Sequence, residues 1–169
     1  IFNMKKNILT HTKTFLIIIF INYLPIISMA EEKDQKETNF KSLKHNNSNM
    51  RLGPGERFEI KWNFKKIGLP VKIIQKYDLW FEVETSDGSK GWMLNRLLSK
   101  KQTVIFKQDS FIYKKPNITS KIIANVDKNS IVKIKSCKNE WCKIESETHK
   151  IKGYTMRKHI WGSIASETN

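Results

Sequence analysis

The 169-residue sequence has few of the residues from which metal centres and catalytic sites are built. Two cysteines are too few for a disulfide-dense small scaffold or for a four-cysteine zinc site. The four histidines have no metal-ligand spacing, and no Ser stands in a Gly-x-Ser-x-Gly pattern. The sequence also has no phosphate-cradling glycine loop and no paired carboxylates for acid–base chemistry. We therefore predict a protein that is not an enzyme and that uses no metal and no cofactor.

Arginine is scarce as well. Only 4 of the 31 basic residues are arginine, and with 16 acidic residues the net charge of +15 is almost wholly lysine. Such a charge attracts an anionic partner, for example nucleic acid, a membrane surface or a polyanionic wall. The chain also has 14 Asn and 23 Ile. Lysine, asparagine and isoleucine are the residues that an AT-rich genome encodes by default, so codon bias is a second explanation of the charge.

A long apolar run occurs only near the start of the chain. Residues 1–30 have three lysines and no acidic residue, and their apolar run of 13 residues (15–27) is shorter than the roughly 20 needed for a membrane-spanning helix. Ser28-Met29-Ala30 places small residues where a signal peptidase reads them. We predict a secretory signal cleaved after Ala30, with an uncleaved anchor as the alternative. The protein is then periplasmic or secreted, with no stable membrane span after cleavage, and residues 31–45 form a flexible linker.

The remaining chain repeats itself. When Trp80 is placed over Trp141, four segments match in order: a proline-marked turn, an alternating strand, a Trp-led alternating strand and a Gly-aromatic strand. Apolar and charged residues alternate in each copy, as is typical of half-buried strands, and Ser86-Asp87-Gly88-Ser89 is typical of a hairpin turn. These patterns predict an all-β protein of two tandem small barrels, at residues 46–101 and 102–164.

Both copies resemble bacterial SH3-like domains, and more narrowly the exported tandem SH3-like proteins of alphaproteobacteria. The first copy shows the resemblance at residues 42–44, 49–55, 60–62, 68–71, Trp80 and 87–92. The second copy is similar through Pro116, Trp141-Cys142, Gly153-Tyr154 and Trp161-Gly162. The family usually has a histidine two residues after its Gly-Trp pair, where this chain has Leu94. The resemblance implies an SH3-like barrel of five to seven strands, without catalysis, that often binds the cell wall or a peptide.

Aromatic residues and one arginine are the candidates for a binding groove, because SH3-like folds bind peptides over aromatic-lined surfaces. Trp80 and Trp141 occupy equivalent places in both copies and are interpreted as structural. Arg51 either contacts a ligand carboxylate or phosphate, or forms an ion pair with Glu56 or Glu59. The predicted ligand-binding residues are Arg51, Trp62, Tyr77, Trp92, Tyr113 and Tyr154.

The two cysteines are predicted to form a disulfide. Cys137 and Cys142 flank the polar turn Lys138-Asn139-Glu140, and a hairpin places such residues on adjacent strands at a separation that suits a bridge. Export to an oxidising compartment favours the bridge. Two free buried cysteines are the alternative.

Together these features predict a non-catalytic exported binding module for a peptide or peptidoglycan-type ligand in the cell envelope. The alternative is a structural or adaptor protein that mediates protein–protein contacts in the periplasm or at a host interface. The expected partner is therefore a peptide, peptidoglycan or an envelope protein. Nucleic acid is not an expected partner, because export and the excess of lysine over arginine argue against it.

Overall fold

The computed structural model describes residues 39–164, so the predicted signal and residues 31–38 of the predicted linker lie outside the described residues. Within these residues, two short 3-10 helices, Asn95–Leu97 and Arg157–His159, accompany fourteen strands. The strands are β1 (Phe40–Leu43), β2 (Ser48–Arg51), β3 (Ile60–Phe64), β4 (Pro70–Tyr77), β5 (Trp80–Glu84), β6 (Lys90–Leu94), β7 (Leu98–Ser99), β8 (Thr103–Phe106), β9 (Ser110–Tyr113), β10 (Ile122–Val126), β11 (Ile131–Lys138), β12 (Trp141–Ser146), β13 (Ile151–Met156) and β14 (Ile160–Gly162). Within residues 39–164, neither helix has the length and apolar content needed to cross a membrane.

The strands form two seven-stranded sheets with the same topology. The first sheet has the order β3-β2-β6-β5-β4-β1-β7 and the second the order β10-β9-β13-β12-β11-β8-β14. Corresponding strands also pair in corresponding registers: Trp80 lies opposite Leu94 in the first sheet, and Trp141 lies opposite Met156 in the second. The predicted all-β fold of two tandem SH3-like barrels is confirmed.

One part of the predicted linker is a strand, so the prediction of a flexible linker is wrong for residues 40–43. This segment is β1, which pairs with both β4 and β7 and thereby completes the first sheet. Leu43 and Ser42 are buried, and the Phe40 ring packs edge-on against Trp161 at a centroid distance of 5.1 Å. The sequence of this segment has little apolar periodicity, and the strands that bury it are distant in the chain. No local pattern therefore indicates that it is a strand.

Each barrel has its own core, built from the inward-facing positions of alternating strands. Close strand approach depends on two glycines: a Cβ on Gly91 would lie 2.8 Å from the carbonyl oxygen of Arg51, and one on Gly153 would lie 2.7 Å from that of Tyr113. Real Cβ atoms essentially never come this close to a neighbouring atom. These two glycines therefore admit a neighbouring strand that a side chain would hold away.

Strand β8 joins the two barrels because it is buried on both faces. Val104 and Phe106 pack into the core of the second barrel, whereas Ile105 packs into the core of the first. Nearby, Thr103 Oγ1 donates a hydrogen bond to the carbonyl oxygen of Gly68 (2.7 Å) and lies 2.5 Å from the Ser42 hydroxyl oxygen. The two barrels therefore share buried apolar and polar contacts.

The predicted disulfide is present. Cys137 and Cys142 are direct cross-strand partners at the end of the β11–β12 hairpin, with their Cα atoms 4.0 Å apart, and both are buried. The first barrel has Lys76 opposite Phe81 at the equivalent position. The bridge is therefore a feature of the second barrel and not of the duplicated unit.

Candidate functional site

The outer face of the first sheet carries an aromatic cluster. In β6, Gly91 and Met93 are buried whereas Trp92 and Leu94 are half-buried, which places the latter two on the outer side of the strand. Trp92 lies opposite Arg51 of β2, and the Tyr77 ring meets the Trp92 ring edge-on at a centroid distance of 6.5 Å. Tyr77 itself is 62% exposed. The structure thus brings together three of the predicted residues, Arg51, Tyr77 and Trp92, and we call this surface the aromatic face.

A cleft adjoins the aromatic face. It has two guanidinium groups, one carboxylate, two side-chain amides and three apolar side chains on its walls. These are contributed by Arg51, Arg96, Glu56, Asn47, Asn49, Trp80, Leu94 and Leu97. The cleft therefore combines an excess of positive charge with an apolar wall, an arrangement that suits an anionic group attached to a small apolar one.

Arg51 is anchored in this cleft. Its Nη1 donates a hydrogen bond to the carbonyl oxygen of Phe58 over 2.7 Å, which ties β2 to the loop before β3. Within the described residues, no ion pair joins Arg51 to Glu56 or Glu59, the alternative that the sequence left open. A guanidinium has five N–H donors, so the bond to Phe58 leaves most of the fork for a ligand.

Trp62 lies apart from the aromatic face. It is directly opposite Met50, which is fully buried, whereas the next residue, Asn63, is opposite Asn49. Directly opposed residues of an antiparallel pair project from the same side, and successive residues project from opposite sides. Asn49 lines the cleft, and Trp62 therefore projects from the opposite side of this hairpin. Trp62 lies on the edge strand β3, and 52% of it is exposed.

The second barrel places Tyr113 and Tyr154 at the corresponding surface. Tyr154 lies opposite Tyr113 just as Trp92 lies opposite Arg51. The Tyr113 ring meets Trp141 edge-on at 5.4 Å and Phe111 at 6.4 Å, and only 8% of Tyr113 is exposed. An aromatic ring therefore stands in the second barrel where the first barrel has the guanidinium of Arg51.

The two tryptophans interpreted as structural have different surroundings. Trp80 is only 7% exposed, yet it lines the cleft and is not among the side chains of the first core cluster. Trp141 is half-buried and its ring meets the Tyr113 ring edge-on. Strand alternation explains why Trp80 lies outside the core: it is three residues from the inward-facing Val83 and so projects from the opposite side of β5. Sequence reasoning missed Asn47 and Arg96, which precede β2 and follow β6 and belong to no motif. It also did not single out Asn49, although Asn49 lies in β2 within a segment that carries the family resemblance.

Charged groups of the second barrel are paired with one another. Lys135 Nζ lies 2.8 Å from Glu145 Oε2, and Lys152 Nζ lies 2.9 Å from Glu145 Oε1. The hydrogen bonds from Lys135 and then Lys152 lower the pKa of Glu145 to about 2.

The second barrel also has a half-buried histidine. His159 Nδ1 lies 2.7 Å from Ser110 Oγ, and burial together with Lys158 and Lys107 lowers the pKa of His159 below its ordinary value. No group of three or more metal-ligating side chains occurs in the part of the chain that the structure describes.

Comparison with known proteins identifies the family. The model of the bacterial SH3 domain matches twice, at residues 44–100 and 107–162. A search of curated proteins gave no significant match.

Three solved structures are similar to this chain at low identity. NlpC2 from Trichomonas vaginalis is 16% identical, over 74% of this chain and 48% of that one, with a TM-score of 0.33. NlpC1 from Trichomonas vaginalis is 16% identical, over 72% and 45%, with a TM-score of 0.34. An NlpC/P60 family protein from Bacillus cereus is 11% identical, over 72% and 55%, with a TM-score of 0.32. The chain spans about half the length of these proteins. Because the two domain matches together cover well over half of its residues, the chain belongs to the bacterial SH3 domain family, of which it carries two tandem copies.

Proposed function

We propose that this protein is a non-catalytic exported module that binds a peptide or peptidoglycan-type ligand in the cell envelope. The observation that carries the proposal is the aromatic face of the first barrel, where Tyr77 and Trp92 adjoin Arg51 and the cleft. SH3-like folds bind peptides over aromatic-lined surfaces. Membership of the bacterial SH3 domain family supports the role of a binding module.

The chemistry of this face suits such a ligand. Tyr77 and Trp92 offer large contact area with few rotatable bonds, so binding costs little side-chain entropy. Arg51 adds a planar donor that pairs with a carboxylate in two parallel hydrogen bonds. The barrels are also basic, with eleven basic and six acidic residues at 46–101 and thirteen and five at 102–164. This charge raises the local concentration of an anionic wall polymer.

Removing the aromatic face is expected to abolish most of the binding. The double variant Tyr77→Ala with Trp92→Ala should bind insoluble peptidoglycan about tenfold or more weakly, because buried aromatic anchors dominate the affinity of such interfaces. The measurement is the fraction of purified protein that sediments with peptidoglycan at increasing polymer concentration. Trp62→Ala is the matched control, since it removes an exposed tryptophan from the opposite side of the hairpin.

Three outcomes of this assay contradict the proposal. The first is that the unmodified protein does not sediment with peptidoglycan at low salt. The second is that sedimentation is lost at about 0.3 M salt, because salt screens non-specific attraction between charges. The third is that the Trp62→Ala control loses as much binding to peptidoglycan as the double variant. An adaptor role through protein–protein contacts is then the better explanation.

Export is part of the proposal and has its own test. The signal pattern of residues 1–30 supports cleavage after Ala30. The Cys137–Cys142 bridge supports export, because disulfides persist in oxidising compartments. The chain recovered from the exported fraction of producing cells is expected to begin at Glu31 and to have no thiol that reacts with an alkylating reagent before reduction. Recovery of the full-length chain with two reactive thiols from the cytoplasm would refute export.

A further inference from the structure

We propose that the cleft of the first barrel is a subsite for the free carboxylate of a peptide-type ligand, held between Arg51 and Arg96. The inference rests on the proposed function, because it names the group by which the same ligand is recognised. It adds a recognition element that the aromatic face does not supply, since aromatic rings read shape and apolar area but not charge.

Arg51 is positioned before any ligand arrives. Its half-buried side chain is held by the 2.7 Å hydrogen bond from Nη1 to the Phe58 carbonyl oxygen. That bond uses one N–H of the five, so two parallel N–H groups remain for a carboxylate. Because the side chain is already restrained, little conformational freedom is lost on binding, and more of the interaction appears as affinity.

The remaining polar groups of the cleft also favour a single negative charge. Asn63 Nδ2 donates to the Oδ1 atoms of both Asn47 and Asn49, at 2.7 and 2.5 Å. The amide oxygens are thereby engaged, and the N–H groups of Asn47 and Asn49 are left to donate to an anion. Arg51 and Arg96 carry two positive charges against the single negative charge of Glu56. A monoanion balances the charges of the residues that line the cleft, whereas a dianion such as phosphate leaves an excess negative charge beside Glu56. Lys65, whose Nζ donates to Asn47 Oδ1 over 3.2 Å, lies behind this lining.

The apolar wall specifies what is attached to the carboxylate. Trp80, Leu94 and Leu97 line the same cleft as the two arginines. An apolar surround strengthens the charge-assisted hydrogen bonds by lowering the local dielectric. It also accommodates a small apolar side chain next to the carboxylate, as at the end of a peptide.

The second barrel acts as an internal comparison. At the position of Arg51 it has Tyr113, whose ring is buried against Trp141. The two copies have kept the same fold and register but present different chemistry at this point. The geometry therefore assigns the carboxylate to the first barrel, and Arg51→Tyr transfers the residue of the second barrel to the first.

The test uses two small probes that differ only in charge, N-acetyl-alanyl-alanine and its C-terminal amide. The chain has five tryptophans, so a ¹⁵N-labelled sample gives five indole N–H signals, and Trp80→Phe assigns the signal from the cleft. The acid is expected to shift the Trp80 signal in a saturable titration, whereas the amide at the same concentration leaves it unchanged. Arg96→Gln should weaken binding of the acid by about tenfold or more, the usual effect of a lost charge-assisted hydrogen bond.

Matched variants separate the subsite from general charge. Arg57→Gln removes an arginine of the same hairpin that stacks on Phe58 outside the cleft, and it should leave the titration unchanged. Glu56→Gln should allow inorganic phosphate to bind where the unmodified protein prefers the acid. Arg51→Tyr should lose the acid as well. Since Arg96 is exposed, its variant keeps the test valid if Arg51→Tyr fails to fold.

The outcomes of the subsite and of the proposed function are distinguishable. Equal shifts with the acid and the amide, or equal losses in Arg96→Gln and Arg57→Gln, would overturn the carboxylate subsite even if the protein sediments with peptidoglycan. Equal affinity of the unmodified protein for inorganic phosphate and for the acid would also overturn it, as general anion binding. A specific acid titration without sedimentation would keep the subsite and overturn the peptidoglycan ligand.

Discussion

Replacing Ile105 by alanine is expected to lower the free energy of unfolding by about 3 kcal/mol, within the usual range for a buried Ile→Ala change. Only 4% of Ile105 is exposed, and its side chain lies in the core of the first barrel although β8 belongs to the sheet of the second. The cavity therefore opens in one barrel through a residue of the other. Denaturant unfolding measures the loss, and amide hydrogen exchange in β4 and β5 locates it.

The control for this variant is Ile118→Ala. Ile118 is 64% exposed, and surface substitutions usually change the stability by no more than about 0.5 kcal/mol. If Ile105→Ala loosens only the amides of the second sheet, or costs no more than Ile118→Ala, the shared core is not what holds the barrels together. A single unfolding transition for both barrels is the expected companion result, since β8 is buried on both faces.

Replacing Gly162 by alanine is expected to cost about 3 kcal/mol or more, the second large effect. Gly162 has φ +139, and a Cβ there would lie 2.5 Å from the Thr103 carbonyl oxygen and 3.0 Å from Pro70 Cβ. Backbone strain of about 1–3 kcal/mol adds to a steric overlap of similar size. Thr103 belongs to the same barrel as Gly162 and Pro70 to the first barrel, so the added Cβ would meet both its own barrel and the other one. Thermal and denaturant unfolding both measure the cost.

Gly88→Ala is the control that separates backbone strain from the clash. Gly88 also has a positive φ, of +84, at the Asp-Gly turn between β5 and β6, but a Cβ there meets nothing within 4 Å. It should cost only about 1–2 kcal/mol, the price of left-handed backbone for alanine. Equal costs at the two positions would show that the close contacts around Gly162 contribute nothing to the loss of stability.

Part of the candidate site follows from the sequence alone. Strand alternation and the duplication place Arg51, Trp92, Tyr113 and Tyr154 at corresponding positions, and the structure pairs them as Arg51 with Trp92 and Tyr113 with Tyr154. The role of these residues as ligand contacts stays a prediction. The sequence could not separate Trp62 from this set, because its side of the hairpin depends on the pairing with Met50. No sequence pattern identifies Arg96, because it lies in a 3-10 helix and the other walls of the cleft come from residues that are distant in the chain.

The sequence by itself determined what depends on near neighbours. Apolar alternation marks strands because successive side chains project to opposite sides, Asp87-Gly88 marks a turn because it tolerates positive φ, and Cys137 and Cys142 meet because a short hairpin joins them. Only the tertiary structure decided that β1 is a strand, that Ile105 packs in the other barrel and that Arg96 lines the same cleft as Arg51. Those features depend on which strands pair and which faces meet. Pairing and packing bring together residues that are far apart in the chain, and no local pattern records that choice.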